Sequence, residues 1–259
     1  MTPGTVAALV ASSAGAGVMN ALAGGGTILT FPTLLLAGIP AIEANATSTI
    51  ALLPGAAASM AGYRREVASH REWLKTLFLP SLLGGGLGSV LLLETPEKTF
   101  ASLAPFLILF ATLLFLLQIV LARRKERSPA PHALEGPPQV RRWVLASLFQ
   151  LGVAVYGGYF GAGIGILMLV VLGFLGLSDI HAMNGLKNFF GISINAVAAA
   201  YFIAKGAVLW PEALVMVAGA TVGGYAGARF ARRIGKEKAR AAVVVIGFLV
   251  TAILLAQRA

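Results

Sequence analysis

Lys187 stands in a run of apolar residues with amides around it: Asn184 three residues before, Asn188 beside it and Asn195 eight residues on. A matching place in the first half carries Asn45, Thr47, Ser48 and Thr49. Polar and charged side chains inside apolar spans are costly, which makes them functional candidates by default. An ammonium with amide and hydroxyl donors suits recognition of a small anion. Asp179 is eight residues from Lys187 and beyond helical reach, which favours a site whose negative charge comes from the ligand. Two plainer readings stay open. A lysine near a helix end can snorkel to the interface, and Asn45 and Asn184 can serve as helix N-caps. Glu43 and His181 hold equivalent positions and either titrates in a proton-coupled cycle or is an ordinary loop residue.

Bond-breaking chemistry finds little here. The chain has no H-E-x-x-H, no G-x-S-x-G and no P-loop. Its 259 residues include no cysteine, which excludes disulfides and thiol catalysis. Amides, hydroxyls and one lysine suit binding better than cleavage. The expectation is a protein that is not an enzyme and uses neither metal nor cofactor.

The elements that must hold these residues are broken helices. Met1 to Ile42 contains no charged side chain, and neither does Trp143 to Ser178. One unbroken helix over the second run would be about 54 Å long, against a hydrocarbon core of about 30 Å. The glycines Gly24, Gly25 and Gly26, followed by Thr27, and later Gly161, Gly163 and Gly165, mark the breaks. Paired breaks in matching halves point to a transporter's binding site. Their backbone amides, with Asn20 beside the first, complete the candidate set.

Composition agrees: 58% hydrophobic, 12% charged, mean hydropathy +0.84. Such a chain has too little polar surface to be soluble, and its runs exceed the roughly 18 residues of a membrane span. The net charge of +10 does not read as nucleic-acid binding, because the basic residues cluster between apolar runs. Without a basic leading region, the first segment reads as a retained span rather than a signal peptide.

Ten spans are expected: Thr5–Ala23, Ile28–Gly38, Asn45–Tyr63, Thr76–Leu93, Phe100–Leu121, Trp143–Phe160, Ile164–Leu177, Met183–Ala204, Ala213–Ala228 and Ala241–Ala256. Residues 1–121 form a first transmembrane repeat, 122–140 a basic, proline-rich cytoplasmic linker, and 141–259 a second repeat. Gly24-x-Gly26 aligns with Gly161-x-Gly163, Gly38 with Gly176, Tyr63 with Tyr201, and Gly84-Gly85-x-x-Gly88 with Gly223-Gly224-x-x-Gly227. The last pair reads as small-residue packing faces. Placing all three basic clusters in the cytoplasm requires an odd number of crossings per half, so the repeats are inverted. Whether the short second helix of each half spans or re-enters stays open.

With these residues in hand, the chain resembles the TauE/SafE family of membrane permeases. The likeness is carried by Ala23–Leu34, Gly38-Ile39-Pro40, Ala44–Ser48, Gly157–Gly165 and Ala182–Asn188. Ala162 departs from a third glycine in the second copy. The resemblance implies a multi-pass inner-membrane permease that exports small sulfur-containing anions such as sulfite or organosulfonates. The full expectation is an all-α polytopic protein of two inverted five-helix repeats. Its partners are a small anionic substrate and the lipid bilayer, with protons as a candidate coupling ion and no nucleic acid. A channel would need a continuous polar stripe, and a scaffold would leave the repeated polar breaks unexplained; oligomeric state stays open.

Overall fold

The computed structural model describes residues 1–22, 25–61, 64–125, 140–177, 179–234 and 236–256. Among them are eleven helices and no strand: α1 (Pro3–Leu22), α2 (Thr27–Leu36), α3 (Ala41–Ala61), α4 (Arg64–Ser69), α5 (Arg71–Glu94), α6 (Glu97–Lys125), α7 (Val140–Tyr159), α8 (Ile164–Phe174), α9 (Ile180–Ala204), α10 (Trp210–Ile234) and α11 (Lys236–Ala256). A backbone surrounded by lipid must satisfy its polar groups within each segment, which selects helices for runs this apolar. The segments Arg71–Glu94, Glu97–Val120 and Ala182–Ala204 are long and apolar enough to cross a membrane alone. α2 and α8 have 10 and 11 residues, about 15 Å each, half of the hydrocarbon core.

Each expected span appears as a helix, and four details differ. α4 was not anticipated; its sequence, Arg-Arg-Glu-Val-Ala-Ser, carries no apolar period to announce it. Arg71 and Lys75 lie in the first turns of α5 rather than in a loop. α3 begins at Ala41 and α9 at Ile180, so Asn45 and Asn184 sit a full turn inside their helices and are not N-caps. The cap of α3 comes from elsewhere. The Glu97 carboxylate, at the start of α6, accepts from the Ala41 and Ile42 amides, as an anion at a helix N-terminus should. α6 runs on to Lys125, into the expected linker, while residues 126–139 (with His132), Gly24, Tyr63 and Ser178 lie outside the described residues.

The halves exchange partners. α1 packs along α10 as α5 packs along α7, α3 meets α10 as α9 meets α5, and α6 pairs with its counterpart α11. Glycine makes these seams close. A Cβ on Gly223 would run into the Ala14 carbonyl, and one on Gly84 would sit 2.5 Å from the Ala154 methyl. Gly88 meets the Val155 carbonyl, Gly158 the Gly85 carbonyl and Gly17 the Ala220 carbonyl in the same way. Without a hydrophobic drive between helices in lipid, such contact is what holds them. The outer faces of α5 and α6 present Leu79, Leu83, Leu87, Phe106, Phe110 and Leu117 to the surroundings, the arrangement of a protein whose solvent is hydrocarbon.

Candidate functional site

Both glycine breaks are backbone turns closed by a side chain six residues upstream. In the first, Gly25 has φ +91°, and the Gly26 amide donates to Asn20 Oδ1 at 2.8 Å. In the second, Gly161 and Gly163 have φ +83° and +79°, and the Tyr156 hydroxyl donates to the Ala162 carbonyl at 2.7 Å. Positive φ is where glycine's missing Cβ matters, so Ala162 fits between two glycines at no conformational cost. Past each break a new helix starts. Among the described residues the Thr27 and Gly165 amides meet no backbone acceptor.

α6 brings the breaks together. A Cβ on Gly25 would lie 2.5 Å from the Phe115 ring, and one on Gly163 would lie 3.4 Å from Leu114. Neighbouring residues of one helix thus back both turns. Phe31 of α2 seals the space between, its ring centroid 5.3 Å from that of Phe160 at the second break.

The segment 45–48 of α3 ties three other elements to this centre. Asn45 Nδ2 donates to the Tyr159 carbonyl at 3.0 Å, the Leu209 amide before α10 donates to Thr47 Oγ1 at 3.1 Å, and Ser48 Oγ lies 2.6 Å from Thr30 Oγ1. Thr30 gives its proton to the Gly26 carbonyl, so Ser48 is the donor in that pair. Asn45, Thr47 and Ser48 are all buried. Because the Tyr159 carbonyl can only accept, the Asn45 amide is fixed with Oδ1 on the far side, where it is buried without a hydrogen-bond partner among the described residues. A buried acceptor left so is unusual.

Lys187 belongs to the second break. Its Cδ lies 3.1 Å from where a Cβ on Gly165 would stand, so the lysine stem crosses the first turn of α8. Asn184 and Asn188 are half-buried on the same stretch of α9, and Asn195 Oδ1 lies 3.9 Å from a Cβ built on Gly161.

The structure thus gathers Asn20, Gly25, Gly26, Thr27 and Ser48 at the first break, and Gly161, Gly163, Lys187 and Asn195 at the second, with Asn45 of α3 reaching the Tyr159 carbonyl just before the second. Gly24 lies outside the described residues, and so does the His181 side chain. Thr47 points to the start of α10 instead of to a break. Sequence reasoning missed Thr30, Tyr156 and Glu97 as holders of the site. Tyr156 carried a signal, six residues before Ala162 in the glycine motif; Glu97 carried none, since it acts on residues 55 and 56 positions away.

The chain matches the family model described as "Sulfite exporter TauE/SafE" over residues 9–254. It belongs to the TauE/SafE family. Among curated relatives, a "Probable membrane transporter protein" of Haemophilus influenzae is 30% identical over 241 residues, 92% of this chain and 89% of that one. The "Probable membrane transporter protein YfcA" of Escherichia coli is 27% identical over 250 residues, 93% and 86% of the two chains. "Probable membrane transporter protein ORF9" of Sinorhizobium sp is 27% identical over 243 residues. No solved structure matches. The TauE/SafE assignment spans both breaks and both halves, so this chain is a multi-pass membrane protein of a membrane transporter family.

Proposed function

We propose that the chain exports a small sulfur-containing anion, sulfite or a short organosulfonate, by alternating access, with the anion held between the two breaks. The observation that carries this reading is Lys187 lying across Gly165. A cation there adds to the partial positive charge at the start of α8 and to its open amides. The start of α2, with the Thr27 amide, offers a second donor set one residue further along α6's supporting face. Asn184 and Asn188 are the side-chain donors on the Lys187 side; Asn20, Asn45, Thr47 and Ser48 hold the first break and its neighbours in shape. In the structure Ser48 donates to Thr30, so it reaches substrate only when α2 moves against α3.

The repeats are read as inverted, with the three basic clusters in the cytoplasm, and movement of one repeat against the other exposes the site to either side. Protons are proposed as the coupling ion. The test is sulfite efflux from loaded proteoliposomes at two pH values, with sulfate and sulfoacetate as competitors. Saturable efflux blocked by sulfoacetate supports an anion carrier, and acceleration by a proton gradient supports coupling. Efflux linear in concentration would indicate a channel, and none above empty liposomes would end the sulfite assignment.

A further inference from the structure

Two grooves run along the outside of the molecule. One, of about 640 Å³, is lined by Val6, Val10 and Ala14 of α1. The other, of about 360 Å³, lies between α5 and α7, with Trp143, Ser147 and Leu151 at the positions that the Gly24–Gly161 alignment pairs with those three. Both are almost wholly apolar. Their mouths differ. The first opens on a stretch without a charged side chain as far as Ile42.

The second opens on a basic collar. Arg71 and Lys75 are exposed on the turns of α5 that lead to Thr76 and Leu79 in the groove wall, and Arg141 is exposed at the start of α7, on the face of Val144. Glu72 is the acidic residue among them. Trp73 and Trp143 meet edge to face at the mouth, centroids 5.2 Å apart, and tryptophan pairs of this kind mark the headgroup level of a bilayer.

We infer that the groove between α5 and α7 is a binding site for an anionic phospholipid, one acyl chain along Leu79, Leu83 and Leu151 and its phosphate at Arg71, Lys75 and Arg141. The groove along α1 is the internal control: an apolar lining without a basic side chain. A phosphate gains about fivefold in affinity per basic residue near the surface, and the positive-inside orientation puts this mouth in the cytoplasmic leaflet, where anionic lipids reside. A lipid here bridges the α5–α7 seam that joins the halves. The inference does not depend on which substrate is carried.

The test uses the full chain in detergent micelles with Trp210→Phe, which leaves Trp73 and Trp143 as the reporters. Phosphatidylglycerol with brominated acyl chains should quench them at about a tenfold lower concentration than brominated phosphatidylcholine. The triple variant Arg71→Gln, Lys75→Gln, Arg141→Gln changes exposed positions only and should remove that difference; circular dichroism verifies its fold. Equal quenching by the two lipids, or a preference that survives in the triple variant, would overturn the inference. So would release of the quenching lipid by glycerol phosphate at the same concentration as by intact lipid, since that describes a phosphate site without a chain groove. No quenching by either lipid, as when a second copy fills the groove, would also overturn it.

Discussion

The two glycine breaks share a plan and differ in chemistry. Each is a positive-φ turn clasped from six residues upstream and backed by α6. The first break is held by an amide oxygen receiving an N–H and continues into a knot of hydroxyls, Gly26–Thr30–Ser48, that leads to α3. The second is held by a phenol donating to a carbonyl, and where Thr49 stands in α3, next to Ser48, Lys187 stands in α9. The turn geometry occurs twice, with neutral polar groups beside the first copy and a charged side chain beside the second. On the proposed reading, one lysine suffices for a monovalent anion.

Substitutions at matched places break or sharpen that contrast. The largest effect is expected from Lys187→Gln, which should lower anion transport by about tenfold to a hundredfold, the worth of a hydrogen bond to a charged group. Its melting temperature should stay near that of the parent. The matched change Thr49→Ala should instead leave transport within a fewfold range, and so should Ser48→Ala beside it.

Gly25→Ala should cost more than Gly163→Ala. Each forces a Cβ into positive φ, about 1–2 kcal/mol, but only the first also drives it against the Phe115 ring at 2.5 Å. Thermal unfolding in detergent measures the order, and equal losses would mean that Phe115 moves aside freely.

Asn20→Ala should in turn outweigh Tyr156→Phe. The first leaves the buried Gly26 amide without its acceptor, about 1–3 kcal/mol; the second leaves a carbonyl short of one donor, which proteins tolerate better. The smallest effect is expected for Thr47→Val, about 1 kcal/mol for the lost bond to the Leu209 amide, seen as faster hydrogen exchange at the start of α10.

Much of this fold was legible because the chain carries few charges. With charge-free runs too long for one helix, the glycines had to be the breaks, and span limits fell within a few residues of the helices found. The N-cap reading of Asn45 failed although a local signal existed. Pro40 preceding Ala41 marks an earlier helix start, and the donors exposed there are met by Glu97 from another helix. No spacing rule finds a partner of that kind. The candidate residues were legible as types but their contacts were not: Asn20 and Ser48 read as substrate donors, yet one receives the Gly26 amide and the other donates to Thr30. Small polar side chains in lipid satisfy the backbone first, and only the folded contacts show which remain for a ligand.

The most direct test of the central claim is calorimetric titration of the purified protein with sulfite and with sulfoacetate, for the parent and for Lys187→Gln. Saturable binding of one of these anions by the parent is expected, weakened at least tenfold in the variant, with both proteins equally folded. Binding of equal strength in the two proteins would contradict it and remove Lys187 from the site.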